Sequence, residues 1–88
     1  MKIKKDFLLR QVADTWVVIP LSSATVSMNG MLNLNDTGAF LWKLLNKGAG
    51  REELVDAVLS EYAVSAEIAM KDIDEFISKL QKINCLDV

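Results

Sequence analysis

The segment spanning residues 27–45, SMNGMLNLNDTGAFLWKLL, constrains the fold most, because it changes from a strand pattern to a helix pattern within a few residues. Its Asn29-Gly30 dipeptide suits a two-residue type I′ turn, in which both central residues need positive φ. Asn35 has the side chain preferred at a helix N-cap, and Asp36 suits the positive end of the helix dipole. The sequence therefore predicts two strands that flank the turn, over residues 25–28 and 31–34, and the second leads directly into a helix.

That helix is predicted over residues 36–46, and it is too apolar for a helix that lies on the surface. A surface helix has one apolar stripe, so this one should be covered on most sides. Gly48 is a natural residue to end it. Its apolar residues are Phe40, Leu41, Trp42, Leu44 and Leu45. We expect it to be the central helix of the domain, with Trp42 in the core.

Strands should precede this helix. Residues 7–12 and 15–19 are rich in strand-forming residues and are separated by Ala13-Asp14, which indicates a hairpin. The second run is apolar on both faces, so it should be covered twice, and Pro20 should end it. Residues 2–5 are expected to form a solvated basic arm.

Two further helices should follow the central one. Gly50 is predicted to cap the second helix, and Ser65 the third, which should reach about Asn84. The buried residues predicted for the second helix are Leu54, Val55, Val58, Leu59 and Tyr62, and those for the third are Ala69, Ile73, Phe76, Ile77, Leu80 and Ile83.

Acidic and basic residues on the third helix have the spacing of i,i+4 ion pairs. Glu67–Lys71 and Glu75–Lys79 each place the acid before the base, which is the favourable order. Leu86 and Val88 beyond the helix are expected to form a loose tail.

Composition limits what the chain can do. Its 88 residues are expected to form one domain, residues 1–88, and the net charge of −2 argues against nucleic acid as the main partner. With one cysteine and no histidine, the chain lacks an intramolecular disulfide, most zinc sites and the commonest general base. No signal peptide or membrane-spanning run is present, so we expect a cytoplasmic protein without cofactor, metal or membrane partner. Cys85 is interpreted as a buried structural thiol and not as a nucleophile.

The LNDTGAFLW segment at residues 34–42 and the following helices resemble the PqqD-like family, which includes coenzyme PQQ synthesis protein D and related precursor-peptide recognition elements. Glu53-Leu54-Val55, Tyr62 and the capping Ser65 add to the resemblance, which covers nearly the whole chain. It implies an α+β, winged helix-turn-helix-like fold, with three to four short N-terminal β-strands followed by three α-helices.

The resemblance also implies a non-catalytic role. Proteins of this family bind the leader of a ribosomally made precursor peptide as an added strand and present it to a modifying enzyme, often a radical SAM enzyme. The leader lies beside the last strand, against the long last helix. The peptide-binding residues implied here are Met28, Asn29, Gly30, Met31, Leu32, Asn33 and Leu34 of the strand, and Ile68, Lys71, Asp72, Glu75, Phe76 and Lys79 of the helix.

The residues themselves favour the same interpretation. An unpaired strand edge exposes free N–H and C=O groups, and proteins usually guard such an edge with lysine or proline. Residues 28–34 contain neither, which suits an edge that is filled by an added strand. Three alternatives stay open: a winged-helix regulator that binds DNA, a structural homodimer that pairs this edge with itself, and an enzyme.

Overall fold

The computed structural model describes residues 1–5, 7–21, 32–83 and 85–87. Within these ranges four strands precede three helices, and a fifth short strand follows them, so the predicted α+β fold class is confirmed. The predicted turn at Asn29-Gly30 and the part of its hairpin within residues 22–31 lie outside the described residues. The elements are β1 (Lys2–Ile3), β2 (Phe7–Val12), β3 (Thr15–Pro20), β4 (Leu32–Leu34), α1 (Asp36–Lys47), α2 (Arg51–Glu61), α3 (Ala66–Lys82) and β5 (Leu86–Asp87).

β2, β3 and β4 form an antiparallel sheet in that order, with β3 in the middle. The predicted hairpin at Ala13-Asp14 joins β2 to β3, and β3 ends at Pro20 as expected. Val17 and Val18 point to opposite faces of the sheet and are both buried. The prediction that this strand is covered on both faces is therefore confirmed.

Side chains and glycines fix the helix ends at the positions that the sequence indicates. The Oδ1 atom of Asn35 accepts a hydrogen bond of 2.8 Å from the Gly38 N–H at the start of α1. Ser65 Oγ accepts one of 3.2 Å from the Ile68 N–H at the start of α3. Gly48 ends α1 with a φ of 95°, a conformation that favours glycine. Local capping thus sets where α1 and α3 begin.

The core is built around α1. Trp42 and Leu45 are fully buried, and they join buried residues of the sheet and of both later helices. Phe40 contacts Tyr62 edge-to-face, with ring centroids 5.7 Å apart, which ties α1 to the end of α2. Solvent exposure is also zero for Val18, Leu54, Ile73, Leu80 and Cys85. Trp42 is a core residue, as expected for a helix that is apolar on most sides.

Three expectations about the surface were wrong. Lys2–Ile3 is not a solvated arm, because it pairs in antiparallel register with Leu86–Asp87, and Ile3 is buried. Leu86 is therefore not part of a loose tail either, and Val88, the other residue of that predicted tail, lies outside the described residues. Leu59 was expected in the core but is 38% exposed, because α2 buries only its Leu54 side.

Candidate functional site

A pocket of about 300 Å³ lies where β4, the first turns of α1 and the side of α3 meet. Because it opens between a strand and a helix, we call it the groove. Its floor is apolar: Leu34, Leu41 and Phe76 line it and are almost completely buried. Its rim is polar and mostly exposed. The exposed rim residues are Asn33 and Asn35 beside the strand and Asp72, Glu75 and Lys79 in α3, while the half-buried Thr37 and the buried Gly38 of α1 close the side opposite α3.

Gly38 allows α1 to start close to the strand. A Cβ atom at this position would lie 3.2 Å from Leu34 Cβ and 3.3 Å from Asn35 Oδ1. Both distances are tighter than an ordinary contact, so any larger residue would push on β4 or on the helix cap. Gly38 therefore sets the width of this side of the groove.

A second contact holds the start of α1 against the sheet. Trp16 of β3 donates a hydrogen bond of 3.1 Å from its Nε1–H to Asp36 Oδ1. Lys43 lies about two turns after Asp36 on α1. Its ammonium group is 4.5 Å from the centre of the Trp16 ring, close enough for a cation–π interaction. Trp16 also pairs with Leu34 in the sheet. One residue of β3 therefore contacts both β4 and α1, the two elements that meet at the groove.

β4 forms one edge of the described sheet. In the described ranges it pairs with β3 on one side and with no strand on the other. Leu34 points into the core and Asn33 points outward, in the alternation expected of a strand. Along such an edge, every second residue directs its N–H and C=O away from the sheet. The groove therefore has main-chain hydrogen-bonding groups on its strand side and a helix on the other.

The two flanks of α3 differ in how their charges are paired. On the flank toward α2, Arg51 donates two hydrogen bonds to Asp74, of 2.7 and 2.9 Å. Hydrogen bonding from Arg51 lowers the pKa of the Asp74 carboxyl, against a smaller opposing effect of burial. On the groove flank, Glu75 and Lys79 form no ion pair within the described ranges, and neither do Glu67 and Lys71. The two predicted i,i+4 pairs are therefore absent.

Comparison with known proteins identifies the family. Residues 15–86 match the family described as coenzyme PQQ synthesis protein D (PqqD). The chain belongs to the PqqD family. None of the curated protein sequences is similar enough to this PqqD-family chain to count as a match.

Two solved structures share the fold of this PqqD-family chain. One is described as TbiB1 in complex with the TbiA(beta) leader peptide; it has a TM-score of 0.79 and 28% identity, and the match covers 99% of this chain and 95% of that one. The other is described as lasso peptide synthetase B1 complexed with the leader peptide, with a TM-score of 0.75, 21% identity, and 96% and 93% coverage. Both are similar to this chain over nearly their full length.

The structure brings six of the residues predicted for peptide binding to the groove of this PqqD-family chain: Asn33, Leu34, Asp72, Glu75, Phe76 and Lys79. Leu32 is half-buried in β4 and does not line the pocket, and neither do Ile68 and Lys71, which lie on exposed parts of α3. Met28, Asn29, Gly30 and Met31 lie outside the described residues. Whether any of these residues binds a peptide stays a prediction.

Four groove residues were missed as site residues: Asn35, Thr37, Gly38 and Leu41. The sequence marked them as a helix start and a core helix, and nothing local shows that α1 also faces α3. A glycine within the first turn of a helix was the available signal, because glycine there has low helix propensity and often marks close packing.

Cys85 is a buried thiol, as the sequence predicted. Burial raises the pKa of the Cys85 thiol to about 11, so the side chain is a neutral thiol at physiological pH. Among the described residues, no group of three or more potential ligands could hold a metal ion. None of the described helices is long and apolar enough to span a membrane.

Proposed function

We propose that this PqqD-family chain captures the leader segment of a ribosomally synthesised precursor peptide and presents it to a modifying enzyme. The observation that carries the proposal is the groove, which places the free edge of β4 opposite α3. The 28% identical structure supports it, since that protein is described as a complex with a leader peptide. The chain itself acts as a binding protein in the cytoplasm and does no chemistry.

Binding would occur by strand addition. The leader lies beside β4 as a further strand and exchanges main-chain hydrogen bonds with it, which supplies affinity without depending on the peptide sequence. Alternate side chains of the leader then point toward the groove, where Leu34, Leu41 and Phe76 form an apolar floor. Met28, Asn29, Gly30, Met31, Leu32, Ile68 and Lys71 stay predicted contacts of the leader.

The enzyme that receives the leader would be a radical SAM enzyme or another peptide-modifying enzyme. Such a partner is needed because the described residues offer no activated nucleophile: the one thiol, Cys85, is fully buried and has a raised pKa. Leader capture raises the local concentration of the rest of the precursor at the enzyme. The modification reaction is then faster because the substrate is tethered.

The charge of α2 disfavours the DNA-binding alternative. A winged-helix reader needs a basic surface on the helix that enters the major groove of DNA, and neither later helix has one, because α3 carries four acids against three lysines and α2 is more acidic still. Arg51, the one cation of α2, is held by Asp74 in two hydrogen bonds. The exposed charges that remain on α2 are Glu52, Glu53, Asp56 and Glu61. A helix with this surface would repel phosphate groups.

An amide chemical-shift titration of the full chain with candidate leaders tests the proposal. The leaders are the N-terminal segments of precursor peptides encoded beside this gene. Strand addition predicts shifts at Leu32–Leu34 and on the groove side of α3, from Asp72 to Lys79. Shifts confined to α2, or none with any such leader, would overturn it.

Two controls separate leader binding from the alternatives. Light scattering over a range of concentrations tests the homodimer, in which a second copy would occupy the β4 edge; the proposal expects any such dimer to dissociate when leader is added. Titration with random duplex DNA at low salt tests the regulator, for which salt-sensitive micromolar binding is expected.

A further inference from the structure

The groove wall of α3 carries charges of both signs that the protein itself leaves without ion partners. Asp72, Glu75 and Lys79 line the groove and are exposed, and no salt bridge within the described ranges involves them. Two residues away from Asp72, the same helix does pair an acid: Asp74 is held by Arg51 at 2.7 Å. On the flank toward α2, the protein thus supplies a cation for an α3 carboxylate. On the groove flank, the carboxylates have no such cation within the described ranges.

We propose that the groove selects leader segments by charge. The segment has an apolar side chain over the floor, a lysine or arginine next to it that pairs with Asp72 or Glu75, and an acidic residue that pairs with Lys79. This inference rests on the proposed function, because it names the class of leader that the same groove accepts.

Selectivity has to come from these charges because the other contacts discriminate little. Main-chain hydrogen bonds along β4 are the same for every peptide sequence. The floor of Leu34, Leu41 and Phe76 accepts any apolar side chain that fits a pocket of about 300 Å³. An acidic residue placed against Asp72 and Glu75, in contrast, meets two like charges. Such a leader is rejected by repulsion as well as by the loss of an ion pair.

The expected size of the effect follows from the exposure of these groups. An exposed ion pair changes affinity by about two- to fivefold, and replacing it by a like-charge contact extends the change to roughly tenfold. Screening weakens the effect, since the Debye length falls from about 10 Å at 0.1 M salt to about 3 Å at 1 M. Charge selectivity should therefore be clear at low salt and almost lost in molar salt.

A yeast-displayed library of random peptides, sorted at low salt against the purified full chain, tests the proposal without knowledge of the leader. The wild type should enrich peptides in which lysine or arginine flanks an apolar residue. The double variant D72K/E75K should enrich acids at those positions instead. Lys79→Glu should lose the preference for an acidic residue.

Matched controls make the same charge changes on α3 outside the groove. Glu67→Lys and Lys82→Glu alter exposed residues that do not line the pocket, and both should enrich the same peptides as the wild type. Thermal melts establish that each variant is folded. If D72K/E75K fails to fold, the milder Glu75→Gln replaces it, and wild-type-selected peptides should then bind about two- to fivefold more weakly.

The outcomes separate this inference from the proposed function. If the wild type enriches no peptide, or only peptides that leave β4 amide shifts unchanged, the leader-binding function itself fails. If peptides bind at β4 but the groove variants enrich the same charges as the wild type, charge selection is wrong and leader binding stands. Equal effects of the control variants would also overturn charge selection.

Discussion

The two flanks of α3 have similar side chains but different surroundings. Toward α2, Asp74 receives both hydrogen bonds of the Arg51 guanidinium, in a pair that joins residues 23 apart in sequence. Toward the groove, Asp72, Glu75 and Lys79 have no ion partner within the described ranges. One flank is therefore paired by the protein itself, and on the other we propose that a bound leader supplies the ion partners.

The chain loses little stability by leaving the groove flank unpaired. Exposed ion pairs contribute at most about 1 kcal/mol, and often nothing that can be measured. Stability comes from the buried face between the flanks, where Ala69, Ile73, Phe76 and Leu80 pack against the core. Phe76 belongs both to this face and to the groove floor, but the exposed groove residues Asp72, Glu75 and Lys79 do not belong to the core, so they can be changed with little effect on stability.

The largest expected effect is that of Trp42→Ala, which removes the core beneath both flanks. Trp42 has no solvent exposure, so the change should lower the free energy of unfolding by about 3–5 kcal/mol. Urea denaturation measures it, with Leu59→Ala as the control at a 38% exposed position. A Trp42→Ala protein of normal stability that binds leader weakly would instead place this indole at the binding surface.

A pair of proline variants separates the free edge of β4 from its paired edge. Successive N–H groups of β4 alternate between β3 and the open side, so Leu32→Pro and Asn33→Pro remove donors of different kinds. One variant should lose mainly stability, and the other should lose more than about tenfold in leader affinity, the equivalent of 1.4 kcal/mol. Calorimetric titration and thermal melts are the measurements. If both variants bind leader like the wild type, β4 is not the binding edge.

Gly38→Ala should change binding more than stability. Alanine gains about 1 kcal/mol over glycine in helix propensity, but its Cβ would lie 3.2 Å from Leu34 Cβ, and the two effects oppose each other. The added methyl also narrows the groove, so leader affinity should fall about threefold to tenfold while the free energy of unfolding changes by less than about 1 kcal/mol. Gly50→Ala, where a Cβ would meet only Glu53 Oε1 at 3.7 Å, is the control and should leave affinity unchanged.

The smallest effect is expected from Asp74→Asn on the paired flank. Hydrogen bonding by Arg51 lowers the pKa of the Asp74 carboxyl. Its stabilising contribution is therefore present above the unfolded pKa near 4 and is lost as the pH falls through the lower folded value. Wild type and Asp74→Asn should differ slightly in melting temperature at neutral pH and converge in acid. Leader affinity should be the same for both proteins. A loss of affinity in Asp74→Asn would mean that Asp74 contributes to leader binding.

The sequence predicted the parts of this fold that have local signals. The caps at Asn35 and Ser65, the stop at Gly48 and the buried Trp42 follow from residues within a few positions of one another. The pairing of β1 with β5 joins two-residue strands from opposite ends of the chain, so no local pattern could reveal it. Lys2–Ile3 and Leu86–Asp87 form strands because they meet each other.

The candidate site was predicted in part for the same reason. The resemblance to the PqqD-like family implied Asp72, Glu75 and Lys79 as residues of the binding site, and all three line the groove. Their i,i+4 spacing suggested that Glu75 pairs with Lys79, but the described residues show no such pair. That Thr37 and Gly38 complete the opposite wall depends on how α1 packs against α3, which is a tertiary contact.

Hydrogen exchange of the β4 amides tests the central claim most directly. Amide exchange of the full chain is followed residue by residue, with and without a leader that binds it. Strand addition predicts that an N–H of Leu32–Leu34 that faces the open edge exchanges at least about tenfold more slowly with leader bound, because a new main-chain hydrogen bond closes it. Exposed amides of α2 should not change. Leader binding that leaves every β4 amide exchanging at its free rate would contradict the account.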